Sequence, residues 1–197
     1  MILSRIFEDK NNGFYVDVGA HHPQRFSNTY YFYLLGWKGI NIDAMPNSMK
    51  LFHKTRPKDI NLERAISDIR QTLTYYAFNE PALNSFCKDL ADTYRKLNYE
   101  LAFEKEIQTY TLSQILDEYL PLNQTIDFLS IDVEGLDYQV LNSNNWEKYR
   151  PAVVLVEDLQ QASIDEANQS KVACFLREYN YVLYCKTANT LIFLKTS

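Results

Sequence analysis

The sequence predicts an α/β fold built on a mostly parallel sheet, and three observations carry that expectation. Short apolar, β-prone runs recur at roughly helical spacing, the pattern of strands alternating with covering helices. Two of these runs, GFYVDVGAHHP over residues 13–23 and GINIDAMP over residues 39–46, each stop at an acid, Asp17 or Asp43, and pass into small or turn-forming residues. Between them SNTYYFYLLGW predicts a helix over residues 28–35. Strand, glycine turn, helix, strand and acid in this order make the first half of a nucleotide-binding α/β unit.

The remaining elements follow along the chain. MILSRIF is too short for a membrane span or a secretion signal and reads as a helix on the sheet edge. Strands are predicted over residues 14–18, 39–43, 60–65, 127–132 and 152–157. Two more, over 181–186 and 190–195, are joined by a short TAN turn and should form an antiparallel hairpin. Further helices are predicted over residues 47–54, 113–119, 137–142 and 164–179. The run LSQILDEYL places Leu112, Ile115, Leu116 and Tyr119 at the i, i+3, i+4, i+7 spacing of a helix packed on a sheet. From about residue 71 to 109 the alternation breaks into the strand-like TLTYYAF, then NEPALNSF, then a charged helical segment. Two readings stand: an insertion over the strand tips that shapes a substrate pocket, or a peripheral hairpin and helix. Residues 1–197 read as one domain, since this length is one domain's worth of chain.

Composition excludes several classes. A net charge of −5 with no Lys/Arg run argues against a nucleic-acid backbone as partner. The RPK stretch at residues 56–58 reads as a solvated loop. Three cysteines without CxxC spacing read as reduced thiols, and no transmembrane run is present, so the expected location is the cytoplasm. Nothing in the sequence assigns an oligomeric state.

The turn after the first strand narrows the ligand. Gly19 lets backbone come close at the strand tip, but His21, His22 and Pro23 follow it instead of the further glycines of GxGxxG. A pyrophosphate would need more bare backbone; a nucleoside without phosphates, such as S-adenosylmethionine, would not. Asp43, 24 residues after Gly19, is placed to accept hydrogen bonds from a ribose diol.

These two segments, with IDFLSIDVEGLDYQVL over residues 126–141, resemble the FkbM family of S-adenosylmethionine-dependent methyltransferases, a class I (Rossmann-like) group. The third segment, with Asp132-Val133-Glu134-Gly135 at a strand end, resembles the family's most distinctive stretch. The resemblance runs from about residue 13 to 158. It implies a seven-stranded sandwich of order 3-2-1-4-5-7-6, and methyl transfer to oxygen, with a sugar or other hydroxyl-bearing acceptor. Asp43 would take the ribose diol, Gly19 and Ala20 would lie along the cofactor, and Asp17 would approach its amino group. Ser27 and Thr29 would meet the methionine carboxylate at a helix N-terminus. Ala44, Met45, Ile66 and Ser67 would flank the adenine, and His21 joins this cofactor set. Glu134 is the candidate general base, with His22 as its rival and Asp132 beside it. By similarity to metal-dependent sugar O-methyltransferases, Asp132, Glu157 and Asp158 would hold Mg2+, whose octahedral oxygen shell they suit. The alternative is that Asp132 and Glu134 act on cofactor and substrate directly. Two other functions stay open: a non-catalytic cofactor-binding module of the same fold, and a nicotinamide-dependent oxidoreductase.

Overall fold

The structure is a computed structural model that describes residues 2–159 and 163–196. Ten strands and eight α-helices alternate in the order α1 (Ile2–Ile6), β1 (Phe14–Val18), α2 (Tyr30–Leu34), β2 (Lys38–Asp43), α3 (Met49–Thr55), β3 (Ile60–Glu63), β4 (Ala65–Ile66), β5 (Thr72–Phe78), α4 (Lys88–Lys96), β6 (Leu101–Tyr110), α5 (Leu112–Tyr119), β7 (Phe128–Ile131), α6 (Asp137–Asn142), β8 (Val153–Glu157), α7 (Ile164–Gln169), α8 (Lys171–Glu178), β9 (Tyr181–Lys186) and β10 (Thr190–Lys195). Seven strands form one sheet in the order β3-β2-β1-β7-β8-β10-β9. The first five are mutually parallel, and β10 runs antiparallel to both β8 and β9. From β1 the chain crosses outward to β2, whereas from β7 it crosses the other way to β8. A crevice therefore opens where the two directions part, beyond the carboxyl ends of β1 and β7.

Both faces of this sheet are covered, which is why β1 reads FYVDV with every residue buried. Successive side chains point to opposite faces. Phe14, Val16 and Val18 join the larger core with Leu112, Ile115 and Leu116 of α5 and Val172, Ala173 and Leu176 of α8. Each such side chain, fully buried, is worth about 1.5–3 kcal/mol. Tyr15 points the other way, into a second core with Leu3, Phe32, Trp37 and Phe128. Leu3 brings α1 over the central strands, not the edge, because the apolar surface it must cover lies over β1, β7 and β8. Helix α5 starts at a capping box in which Thr111 and Gln114 satisfy each other's backbone N–H.

Three expected elements come out differently. The strand expected over residues 60–65 is two: β3 ends at Glu63, the Arg64 N–H bonds the Asp43 carbonyl, and Ala65–Ile66 pair with Thr109–Tyr110 in a second sheet. The helix expected over residues 164–179 breaks at Ser170, whose extended backbone and side chain cap α8. The helix over 28–35 shortens to five residues. Strand β6 carried no sequence signal, since most of its residues are exposed and its apolar alternation is therefore absent; it forms because β5 pairs along its length. Strands β4, β6 and β5 make a three-stranded sheet, with α4 packed on it through Ala91 and Tyr94. Among the described residues no helix is long and apolar enough to cross a membrane.

Candidate active site

A cavity of about 260 Å3 occupies the crevice beyond β1 and β7. Its walls come from the β1–α2 loop, the end of β2, the β7–α6 turn and the segment after β5. Of the expected cofactor residues, Asp17, Gly19, Ala20, His21, Ser27, Asp43, Ala44, Met45 and Ile66 line it. Thr29 and Ser67 do not, being almost wholly buried elsewhere.

Gly19 has φ +84°, and a Cβ there would stand 1.7 Å from the Asp132 carbonyl oxygen. Glycine is thus required first by the close approach of two strand ends, and the bare backbone at the cavity follows from it. The Gly19 and Ala20 N–H groups both donate to the Ile42 carbonyl, tying the β1 and β2 tips together. Asp43 lies at the end of β2, where its Oδ2 accepts the His21 N–H and its Oδ1 the Met45 N–H, each at 2.8 Å. Burial raises its carboxyl pKa, against the pull of these two bonds. A carboxylate has about four lone-pair positions, so each oxygen keeps one for a further donor. Met45 is braced from the other side, its sulfur accepting the Asn84 amide at 3.3 Å.

Asp17 is buried on the Tyr15 side of the sheet and accepts the Thr29 hydroxyl at 2.9 Å. Burial raises its carboxyl pKa, while the nearby Arg56 charge opposes the rise. Thr29 is committed to this bond and to the guanidinium of Arg56, 3.0 Å away, which corrects its expected contact with a carboxylate of the ligand. The five-residue α2 has too little aligned backbone to make an anion site of its N-terminus. Ser67 hydrogen bonds Asp68 and the second sheet instead of facing the cavity.

His22 is likewise corrected. Its Nδ1 accepts the N–H groups of Gln24 and Arg25, and it is not among the cavity-lining residues. Burial, then the charges of His21 and Arg25, push its pKa down. It shapes the loop as a neutral ring.

Asp132, Glu134 and Glu157 converge, with one carboxylate oxygen from each lying within 4.8 Å of the others. Asp158 stays outside this trio, and its N–H bonds the Asn189 carbonyl of the closing hairpin turn. Strand β8 ends at Glu157, and Asp158 begins the segment beyond it, its charge acting on Asp137 of the β7–α6 turn. The expected trio of ligands is corrected accordingly, with Glu134 in place of Asp158. Glu134 has φ +51° and Gly135 φ +103°, an unusual pair of left-handed residues. Asp137 holds that turn by accepting the Val133 and Gly135 N–H groups. The Tyr94 hydroxyl donates to Glu134 Oε2 at 3.3 Å.

Burial first, and crowding after it, set the electrostatics of the trio. Burial, then the charges of Asp132 and Asp137, raises the Glu134 pKa to about 7. Burial and the Asp137 charge raise Asp132, while burial and the charges of Asp132, Glu134 and Asp137 raise Glu157. Three carboxylates this close do not all ionise cheaply, and a proton or a cation among them would relieve the repulsion.

Several cavity residues carried no motif. Arg64 comes from the crossing into the second sheet, Tyr75 from β5 itself, and Asn84 and Phe86 from the segment after it. Tyr75 and Phe86 pack with ring centroids 4.8 Å apart, their planes tilted by 53°. Asn28 and Ser130 sit beside recognised segments, and their hydrogen bond at 3.2 Å links the β1–α2 loop to β7. Their adjacency to those segments was the available signal; for Tyr75, Asn84 and Phe86 it was the break in alternation over residues 71–109, and for Arg64 there was none.

The sequence model of the methyltransferase FkbM domain matches residues 17–183, most of the chain. No curated protein matches the sequence. A crystal structure of methyltransferase FkbM from Methylobacillus flagellatus KT superposes with a TM-score of 0.53 at 10% identity, over 93% of this chain and 44% of that one. The chain thus spans less than half the length of that protein, and the likeness is one of fold. With the domain match running from the first-strand acid to the closing hairpin, the chain belongs to the FkbM methyltransferase family.

Proposed function

We propose that the chain is an S-adenosylmethionine-dependent O-methyltransferase whose acceptor is a sugar hydroxyl of a glycan or glycosylated metabolite. The observation that carries this reading is one cavity lined both by Asp43 and by Asp132 and Glu134, with Glu157 within reach of the last two. The residues fit the donor: beside its two backbone bonds and the Ser48 hydroxyl, the Asp43 carboxylate has capacity to accept from ribose hydroxyls. Met45, Ala44 and Ile66 offer apolar surface for the adenine, while Gly19 and Ala20 pass close along the ligand and Asp17 draws its amino group. When bound, the donor supplies a methyl group already activated as a sulfonium.

The chain must then align the acceptor and weaken its O–H bond. Glu134, whose pKa of about 7 suits proton transfer near neutrality, takes the hydroxyl proton on its carboxylate. Asp132 accepts a hydrogen bond from the acceptor, and protonated Glu157 keeps the trio from carrying three charges. Tyr75 and Phe86 give the apolar face that a sugar ring needs, and the segment over residues 71–109 acts as an acceptor-side insertion in a single domain. The family resemblance supports the sugar, and the absence of basic runs leaves nucleic acid an unsuitable acceptor. The chain would work in the cytoplasm.

A second reading is favoured by the spacing of the trio: Mg2+ held by Asp132, Glu134 and Glu157 would offset the same crowding. Exhaustive chelation separates the two, abolishing activity under the second reading and leaving it unchanged under the first. The function itself is tested by calorimetry with S-adenosylhomocysteine and by transfer of a labelled methyl group to a panel of mono- and oligosaccharides. No binding of S-adenosylhomocysteine, or NAD bound in its place, would remove the proposal.

A further inference from the structure

Arg56 is absent from the cavity wall and wholly buried, with its partner Asp59 equally hidden. A sequence reading makes it part of a solvated loop; its surroundings say otherwise. Its Nε donates to Asp59 Oδ2 at 2.8 Å and its Nη2 to the Tyr15 hydroxyl at 2.7 Å. Tyr15 in turn donates to Asp59 Oδ2, closing a triangle. Asp59 is bolted to β2 through the Gly39 N–H and the Asn41 amide. The guanidinium also lies 5.3 Å from the ring centroids of Tyr15 and Tyr33 and 5.5 Å from that of Phe52.

The remaining nitrogen, Nη1, serves one loop. It faces the Pro23 carbonyl and the Ser27 hydroxyl, each at 3.4 Å, and the Thr29 hydroxyl at 3.0 Å. That loop, between β1 and α2, supplies Gly19, Ala20, His21, Phe26, Ser27 and Asn28 to the cavity. It holds His21 at φ +50° and Phe26 at φ +56°, conformations that side-chain-bearing residues keep only when surroundings impose them. Thr29 passes the contact on to Asp17, Asp17 to the Ser130 hydroxyl, and Ser130 to the Asn28 amide at the wall. A buried ion pair is seldom the most stabilising filling for its volume. This one fixes two of its nitrogens on Asp59 and Tyr15 and turns the third, Nη1, to the loop.

We propose that Arg56 is a positioning residue of the donor pocket. Anchored to β2 through Asp59, it holds the β1–α2 loop from beneath in the shape that makes the cavity wall. The inference rests on the donor pocket proposed above. Lysine cannot replace it, because one ammonium on a flexible stem cannot reach Asp59, Tyr15 and Thr29 together.

The test uses the full chain with Arg56→Lys and, as the milder change, Thr29→Val, which keeps the shape and removes the hydroxyl between Arg56 and Asp17. Affinity for S-adenosylhomocysteine is measured by calorimetry, fold by circular dichroism and melting, and loop order by amide hydrogen exchange in the free protein. Each variant should remain folded yet bind about 10- to 100-fold more weakly, the worth of a hydrogen bond to a charged group. Exchange should speed up in residues 19–29 while β7 and β8 keep their protection. A merely structural role predicts a lower melting temperature with wild-type affinity and no loop-specific exchange, and that result in a folded variant overturns the proposal. Should Arg56→Lys fail to fold, Thr29→Val decides alone. A wild-type protein that does not bind S-adenosylhomocysteine would overturn the donor assignment instead, and the exchange measurement would still decide whether Arg56 orders the loop.

Discussion

Asp43→Asn isolates the donor-binding role of the second-strand acid. In the native site each carboxylate oxygen takes one backbone N–H at 2.8 Å, from His21 and from Met45, and keeps one lone-pair position for a ribose hydroxyl. An asparagine has only one oxygen. Its NH2 group would oppose either the His21 or the Met45 N–H, and one hydroxyl of the diol would lose both its acceptor and the negative charge. Losing one charge-assisted hydrogen bond should cost about 1.5–3 kcal/mol, or about 10- to 150-fold in affinity. Calorimetry with S-adenosylhomocysteine measures this directly, with circular dichroism confirming the fold. The displaced N–H should also lower the melting temperature, so affinity must be read well below the transition. Unchanged affinity in a folded Asp43→Asn protein would refute the assignment, since no neighbouring acid could substitute without rebuilding the β2 tip.

Three other outcomes are expected. Glu134→Gln should keep S-adenosylhomocysteine affinity while cutting methyl transfer by about 10²–10⁴-fold; near-normal turnover would move the proton to water. Gly19→Ala should destabilise the fold by more than about 3 kcal/mol, because its Cβ would overlap the Asp132 carbonyl at 1.7 Å in a left-handed backbone, and denaturant unfolding with an unshifted midpoint would refute the packing argument. The raised pKa of Glu134 also has a stability consequence. Between its ordinary value of 4.5 and about 7 the native state binds more protons than the unfolded chain, so stability should fall as pH rises through that window. Asp132 and Glu157, raised likewise, act with the same sign. Melting temperatures between about pH 5 and about pH 7.5 should decline, and Glu134→Gln should flatten the decline; a rise with pH would contradict the crowding of the trio.

What the sequence by itself determined is local: where strands end and which residues stand at their tips. The runs FYVDVG, INIDAM and FLSIDVEG are continuous, each couples a β-prone stretch to an acid and a turn, and the alternating pattern needs no distant partner to be read. Asp17, Asp43, Asp132 and Glu134 were therefore visible as tip residues, and the mixed α/β class with them. Tertiary structure decided which tips face one cavity and which acids crowd. Asp158 follows Glu157 in the chain yet stays outside the trio, because β8 ends at Glu157 and only its last side chain reaches Asp132 and Glu134. Thr29 and His22 carry suitable chemistry but spend it on Arg56 and on the loop's own N–H groups. Arg56 itself, in a stretch that reads as solvated, is buried because Tyr15 and Thr29, far back in the chain, join Asp59 three residues on to satisfy it. The stretch supplying Tyr75, Asn84 and Phe86 was legible only as a break in the alternation, with pocket and periphery both open. Its partner β6 left no trace, since it is mostly exposed and owes its form to pairing with β5. Periodicity records only burial by a residue's own element; the energy of a buried charge or a paired edge belongs to residues far along the chain, and folding alone brings them together.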